Sequence, residues 1–378
     1  MSVTTCQPVA RLSRQENPAY LTEQLITYLG NKRSLLSQIE TAVEQIKRRL
    51  HRSHLRCFDV FSGSGVVSRA LKRHASLLVS NDLELYAAIA GRCYLANRSE
   101  VDLAAIDEWV ERLNARLEVD PPQPGFVSEM YAPRDESQIT RDDRVFYTRN
   151  NALRLDHYRR YLNEVPAEHR DFLLAPLLSA ASVHANTAGV FKGFYKDRAT
   201  KIGQFGGSGR DALSRIRGNI VLRPPVLSHF ECDWQVLQLD ANVAARSAGE
   251  FDLAYLDPPY NQHPYGSNYF MLNLLARYER PERVSRVSGI PVDWNRSGYN
   301  VRIESLRLMT DLVQQIDTRF LLISFNDEGF IAPADMQAML EKVGRVEVIK
   351  QRYNAFRGSR SFKNRSLHVT EHLFLVEK

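Results

Sequence analysis

Five short apolar runs recur along the chain, and each stops at small or polar residues: Cys57–Phe61, Ser76–Ser80, Trp234–Leu239, Phe251–Leu256 and Phe320–Phe325. Continuous apolar runs of this length read as strands buried on both faces of a parallel sheet. Their endings (Ser62-Gly63-Ser64-Gly65, Asn81-Asp82, Asp240, Asp257 and Asn326-Asp327) would place polar chemistry along one sheet edge, the edge where open α/β sheets bind ligands. Two later runs, Val346–Lys350 and Leu367–Val376, are also strand-like. The last alternates polar and apolar residues and predicts an antiparallel edge strand.

Helical periodicity follows several strands, over Ser34–Leu50, Val66–Arg73 and Tyr86–Asn97. From about Val101 to His229 the alternation breaks. That stretch holds a helical pattern at Ile106–Leu117, a connector with Pro121, Pro122 and Pro124, and the apolar run Phe172–Val183, too short for a membrane span and read as a buried helix. The expected organisation is an α/β catalytic domain over residues 20–100 and 230–378, interrupted by a largely helical insertion over 101–229.

The chain has 378 residues, of which 44% are hydrophobic and 25% charged. No secretory pattern follows Arg11 and Arg14, and Cys6, Cys57, Cys93 and Cys232 are scattered without ligand-pair spacing. The expectation is a cytoplasmic protein with no disulfide framework, membrane span or metal site. Net charge is +6, and its distribution is uneven. Lys192, Lys196, Arg198, Lys201, Arg210, Arg215, Arg217 and Arg223 face only Asp197 and Asp211 within one segment, an excess equal to that of the whole chain. Gly203 to Gly209 inside it would let backbone approach phosphates, though a solvated loop has the same composition. A second cluster, Arg352, Arg357, Arg360, Lys363 and Arg365, interleaves with Tyr353, Phe356 and Phe362.

The most informative stretch ends the fourth strand: Asp257-Pro258-Pro259-Tyr260. Two prolines donate no N–H, so this edge offers the Asp257 carboxylate and the Pro258 carbonyl as acceptors beside a flat ring. Such a site suits the exocyclic amine of a nucleobase. Phe61-Ser62-Gly63-Ser64-Gly65 makes a tight turn over which a ligand can approach backbone, although an ordinary strand–helix turn reads the same. Ser68 replaces the third glycine of a dinucleotide fingerprint, and no P-loop lysine is present. Asp82 is well placed to accept from ribose hydroxyls, with a helix cap as the alternative reading.

The order Leu29-Gly30-Asn31-Lys32-Arg33, Phe61-Ser62-Gly63-Ser64-Gly65, Asn81-Asp82, an insertion, then Asp257-Pro258-Pro259-Tyr260 resembles the Dam-like class of DNA adenine-N6 methyltransferases. Tyr265-Gly266-Ser267-Asn268-Tyr269, Ser324 to Gly329 and Lys363-Asn364-Arg365-Ser366 resemble its FokI-type branch. The resemblance implies a Rossmann-like fold and S-adenosylmethionine as methyl donor. Tyr28, Gly30, Lys32 and the Phe61, Ser62, Gly63, Ser64, Gly65 turn would hold its methionine part, Asp82 its ribose and Asp240 its adenine. Asp257, Pro258, Pro259 and Tyr260 would form the catalytic target-base pocket. Double-stranded DNA would meet Lys192, Lys196, Lys201, Arg210, Arg215 and Arg217, together with Tyr265, Asn268 and Tyr269, and a cognate restriction endonuclease would be a possible partner.

Cytosine-N4, RNA or a protein amide remain alternative acceptors, and a non-catalytic DNA-binding protein on the same fold is the rival from another class. Asp at position 257, rather than Ser or Asn, favours adenine. None of the four cysteines follows a proline, which excludes the usual nucleophile of cytosine-carbon methylation.

Overall fold

A computed structural model describes residues 15–207, 212–354 and 368–378. Seven strands form one sheet: β1 (Leu55–Asp59), β2 (Ala75–Asn81), β3 (Asp233–Leu237), β4 (Phe251–Leu256), β5 (Thr318–Asn326), β6 (Arg345–Asn354) and β7 (His368–Glu377). Their spatial order is β3-β2-β1-β4-β5-β7-β6. The pairs among β1 to β5 are all parallel. β7 is antiparallel as expected, but it lies between β5 and β6, so β6 is the edge strand on that side and β3 on the other. An all-apolar outer half, Leu373 to Val376, is buried and would be costly at an edge.

Alternation along the strands separates two cores. Cys57, Leu78, Leu253, Tyr255, Phe320 and Leu322 face the helix Leu36–Leu50. Phe58, Val79, Ala254, Leu256, Leu321 and Ile323 face the helices Ala241–Ser247, Arg302–Gln315 and Pro333–Leu340. β4 is buried throughout because both faces are covered. The helix Leu36–Leu50 follows from Ile39, Ala42, Val43 and Ile46, which share one buried face at helical spacing. Its last turn carries Lys47, Arg48 and Arg49, favourable against the helix dipole.

A third core joins the helices Leu103–Val119, Arg149–Tyr161 and Ala167–Val183 to Leu85–Tyr94 and Phe270–Arg277. The intervening region therefore packs on elements that precede it and follow it in sequence. Among the described residues, no helix is long and apolar enough to cross a membrane.

Strand order reverses between β1 and β4. The crevice outside the carboxyl ends of these two strands is the expected ligand position of an open α/β sheet.

Candidate active site

Below β1 the chain turns through Ser62 to Gly65. Gly63 (φ +52°) and Gly65 (φ +74°) both occupy the left-handed region, which strains any other residue. At Gly63 the demand is double, because a Cβ there would lie 2.9 Å from the Tyr28 ring. Asp82 holds this turn: its Oδ2 accepts from Gly63 N at 2.7 Å and its Oδ1 from Glu84 N at 2.9 Å. Burial nevertheless raises its pKa above the ordinary carboxyl value, against those N–H groups.

Asp59, at the end of β1, is wholly buried. Its Oδ2 accepts from Ser68 Oγ at 2.5 Å. Oδ1 has no well-formed hydrogen bond, although the Phe61 N–H lies near the carboxyl. Burial pushes its pKa up to about 7, helped by the charges of Asp257 and Asp82 and opposed by the Ser68 hydroxyl. An orphaned buried acceptor lining a cavity invites a cationic partner.

The segment Tyr28 to Lys32 crosses the same crevice. Tyr28 stacks on Tyr265 (5.0 Å between ring centroids) and on Tyr269 (4.8 Å), each with planes 12° apart. Leu29 N donates to the Tyr269 hydroxyl at 2.7 Å. Lys32 is buried, and its Nζ lies 2.9 Å from Asp257 Oδ1, 3.0 Å from Gly30 O and 3.4 Å from Glu371 Oε1. All three ammonium directions thus meet protein oxygens, while Lys32 lines the same cavity as the Gly63 turn. Asp257 keeps 19% of its side chain exposed. Burial raises its pKa to about 6, Lys32 opposing and Glu371 adding to the rise.

Tyr260 stands edge-on to Phe325, with centroids 6.1 Å apart, and its carbonyl accepts from Phe330 N at 2.8 Å. Asp257 and Pro259 line the same cavity as Ser62, Gly63, Asp82 and Asp240. Asp240 is exposed and caps Ala241–Ser247, accepting from Asn242 N at 3.0 Å.

Two contributors escape the sequence reading. Glu84 is buried in the cavity wall and accepts from Asn273 Nδ2 (2.5 Å) and Asn295 Nδ2 (3.1 Å). Burial lifts its pKa to about 7, the nearby Asp82 charge adding to the rise. The stretch Asn295 to Asn300 continues the cavity wall beside Glu84, tied down by Asn300 Nδ2 to Asn261 O and by the Tyr299 hydroxyl to Asn242 Oδ1. Only their two-residue neighbourhood to Asp82 could have pointed to Glu84, and no sequence signal marks the second stretch.

The residues expected to meet DNA divide. Lys192, Lys201 and Arg217 are exposed, and Lys196 is half-buried with its ammonium 4.8 Å from the Phe194 ring centroid. Arg215 is engaged internally, donating to the carbonyls of Val183 and Ala185, so it is a structural residue here. Arg210 lies outside the described residues, as does most of the C-terminal basic cluster. Gly203 is buried and required for packing, since a Cβ would lie 2.4 Å from Val145. Tyr269 and Asn268 are buried and Tyr265 belongs to the Tyr28 stack. Tyr265 and Tyr269 brace the Tyr28–Leu29 segment through their hydroxyls, Tyr265 keeping a half-buried face on the cavity, and Asn268 O accepts from Phe191 N at 2.7 Å.

Residues 28–339 match the family model described as D12 class N6 adenine-specific DNA methyltransferase. The type II methyltransferase M.NlaIII of Neisseria lactamica is 27% identical over 361 residues, covering 93% of this chain and 99% of that protein. M.CviAII of Paramecium bursaria Chlorella virus 1 is 28% identical over 359 residues, covering 93% and 98%. M.FokI of Planomicrobium okeanokoites is 25% identical, and this chain spans about half of it (52%). The matched span runs from Tyr28 beyond β5 and so includes the glycine turn, Asp82, the intervening helices and the Asp257 edge: the chain belongs to the D12 class of N6 adenine-specific DNA methyltransferases.

Proposed function

We propose that this enzyme transfers the methyl group of S-adenosylmethionine to the N6 amino group of an adenine flipped out of duplex DNA, with Asp257 and the Pro258 carbonyl as acceptors of the two amino hydrogens. The observation that carries this reading is the meeting, in one cavity at the strand-order reversal, of a Gly63 turn, an orphaned Asp59 oxygen and the Asp257 edge. S-adenosylmethionine supplies, when bound, an electrophilic methyl group on a sulfonium. The protein's residues fit it: Asp59 Oδ1 would take the methionine ammonium, the Gly63 and Gly65 turn would allow close approach, and Asp82 and Asp240 would face the ribose and adenine.

The lone pair of adenine N6 is delocalised into the ring, which makes the nitrogen a poor nucleophile. Asp257 and Pro258 O, by accepting both hydrogens, favour a pyramidal nitrogen with a localised lone pair. Their hold strengthens as positive charge develops on nitrogen, so they stabilise the transition state over the ground state. Asp257, with its pKa near 6, can afterwards accept the proton that nitrogen sheds. Extruding the base costs a few kcal/mol, and stacking on Tyr260 returns ~1–3 kcal/mol.

Lys192, Lys196, Lys201 and Arg217 would grip phosphates, and binding would weaken steeply with salt. The relatives M.NlaIII, M.CviAII and M.FokI carry the designation type II, which supports a role in restriction–modification beside an endonuclease of the same site. Sequencing DNA from a host that expresses the chain, with detection of modified bases, tests target and site together. N6-methyladenine at one recurring sequence is the expected result, and unmodified adenine or methylated cytosine would overturn the reading.

A further inference from the structure

Lys32 is shared by two carboxylates that play different parts. Asp257, on the loop after β4, faces the cavity, whereas Glu371, on β7, is 1% exposed and does not line it. Glu371 is held from the neighbouring strand, where Ser324 Oγ donates to its Oε1 at 2.5 Å. Its strand is paired on both sides, so this carboxylate is stationary while Lys32, at the end of a long side chain, can move.

The ion pair poses a problem for catalysis. A carboxylate neutralised by an ammonium at 2.9 Å is a weakened acceptor for an incoming amine, yet a buried ammonium cannot be left without a counter-charge. A shift of Lys32 Nζ by about half an ångström would bring the 3.4 Å contact with Glu371 to charge-assisted hydrogen-bond length.

We infer that Glu371 is a positioning residue for methyl transfer, the second carboxylate to which Lys32 shifts when the amino group of the target adenine claims Asp257. The inference rests on the proposed acceptor role of Asp257. Lys32 then keeps a partner throughout the cycle, and Asp257 is released as an ionised acceptor without moving into solvent. The titratable groups facing the pair among the described residues are Glu371 from β7, Asp59 from β1, Tyr255 from β4, and Tyr260 and Tyr265 from the loop that follows. Of these, Glu371 opposes ionisation of Asp257 and Lys32 favours it.

The test is the pH dependence of tritium transfer from labelled S-adenosylmethionine into long unmethylated genomic DNA, with donor affinity measured by calorimetry. In Glu371→Gln, Asp257 is the one carboxylate still paired with Lys32 among the described residues. Turnover should fall roughly 10- to 100-fold, donor affinity should stay at the wild-type value, and the acid limb of kcat/KM should move to lower pH by on the order of one unit. Ser324→Ala keeps the charge but frees Oε1 for Lys32, so its acid limb should move to higher pH. Opposite displacements are a signature that loosened packing does not produce. If Glu371→Gln does not fold, the direction of the Ser324→Ala limb decides alone. An unmoved limb in the folded variants, or loss of activity that merely tracks loss of donor affinity, overturns the inference. Asp257→Ala, assayed in parallel, separates the two readings: near-normal turnover there removes the acceptor role itself, whereas an inactive Asp257→Ala beside an unmoved limb removes only the role of Glu371.

Discussion

Lys32 Nζ and Asp257 Oδ1 lie 2.9 Å apart, which joins the segment before the first strand to the edge of the fourth and places a cation on the proposed acceptor. Asp257→Ala should therefore lower turnover by ~10²–10³, the cost seen when one preorganised transition-state partner is lost. Fold and DNA affinity should persist, because the carboxylate acts chiefly in the transition state. Tritium transfer and DNA titration check the two halves of this expectation.

Activity should fall on acidification as Asp257 takes up a proton. Its pKa of about 6 means that the carboxylate is available above that pH and lost below it. The acid limb of kcat/KM reports the free enzyme and should centre near pH 6, well above an ordinary aspartate. A limb near pH 4 would show that burial does not govern this group.

Asp59→Asn should stabilise the empty protein while it weakens donor binding. The Asp59 carboxyl has a pKa of about 7 in the fold and ~3.9 in an unfolded chain. The folded state therefore binds more protons between those values, and stability contributed by this group declines as pH rises from about 4 to about 7. Urea unfolding at pH 8 should show the asparagine variant more stable than wild type, with a flatter dependence on pH. Calorimetry with S-adenosylmethionine should show the matching loss of affinity, and an analogue lacking the amino group should bind both proteins alike.

Gly63→Ala and Gly65→Ala should differ although both residues have positive φ. A Cβ at Gly63 meets the Tyr28 ring, whereas one at Gly65 meets nothing within 4 Å. The Gly65 change carries only the backbone cost, about 1–3 kcal/mol. The Gly63 change also displaces Tyr28 from its stack and should reduce donor affinity at least tenfold more. Equal affinities in the two variants would mean that the Tyr28 contact has no bearing on the donor.

Arg215 and Arg217, two residues apart, should behave as different kinds of residue. Arg215→Ala leaves the carbonyls of Val183 and Ala185 without their donor and should cost ~1–3 kcal/mol of stability. Arg217→Ala and Lys201→Ala should leave stability unchanged and flatten the salt dependence of DNA binding by about one unit each. Thermal melts beside DNA titrations at several salt concentrations distinguish the two behaviours.

The described strands were legible in the chain because each carries an apolar or alternating run with a local polar ending, although β3, whose run read as buried, is an edge strand of exposed and half-buried residues. The glycine turn and the Asp257 edge were legible for the same reason: backbone conformation and acceptor placement there depend on a few adjacent residues. Local pattern could not decide which strand becomes the edge. The alternation of the last run pointed to β7, and only the pairing of β7 with β5 excludes it from that position.

What only the tertiary structure decided is where a polar side chain finds its partner. Arg215 and Arg217 are equivalent in sequence, but one reaches carbonyls at the end of a helix that precedes it by thirty residues and the other reaches solvent. Tyr265 and Tyr269 read as a recognition surface until Tyr28 is stacked upon them. Glu371 is one acidic position in an alternating strand until the sheet sets it beside Lys32. Period and composition are properties of neighbours along the chain, whereas an ion pair or an orphaned oxygen is set by distance and burial, which exist only once the chain has closed on itself.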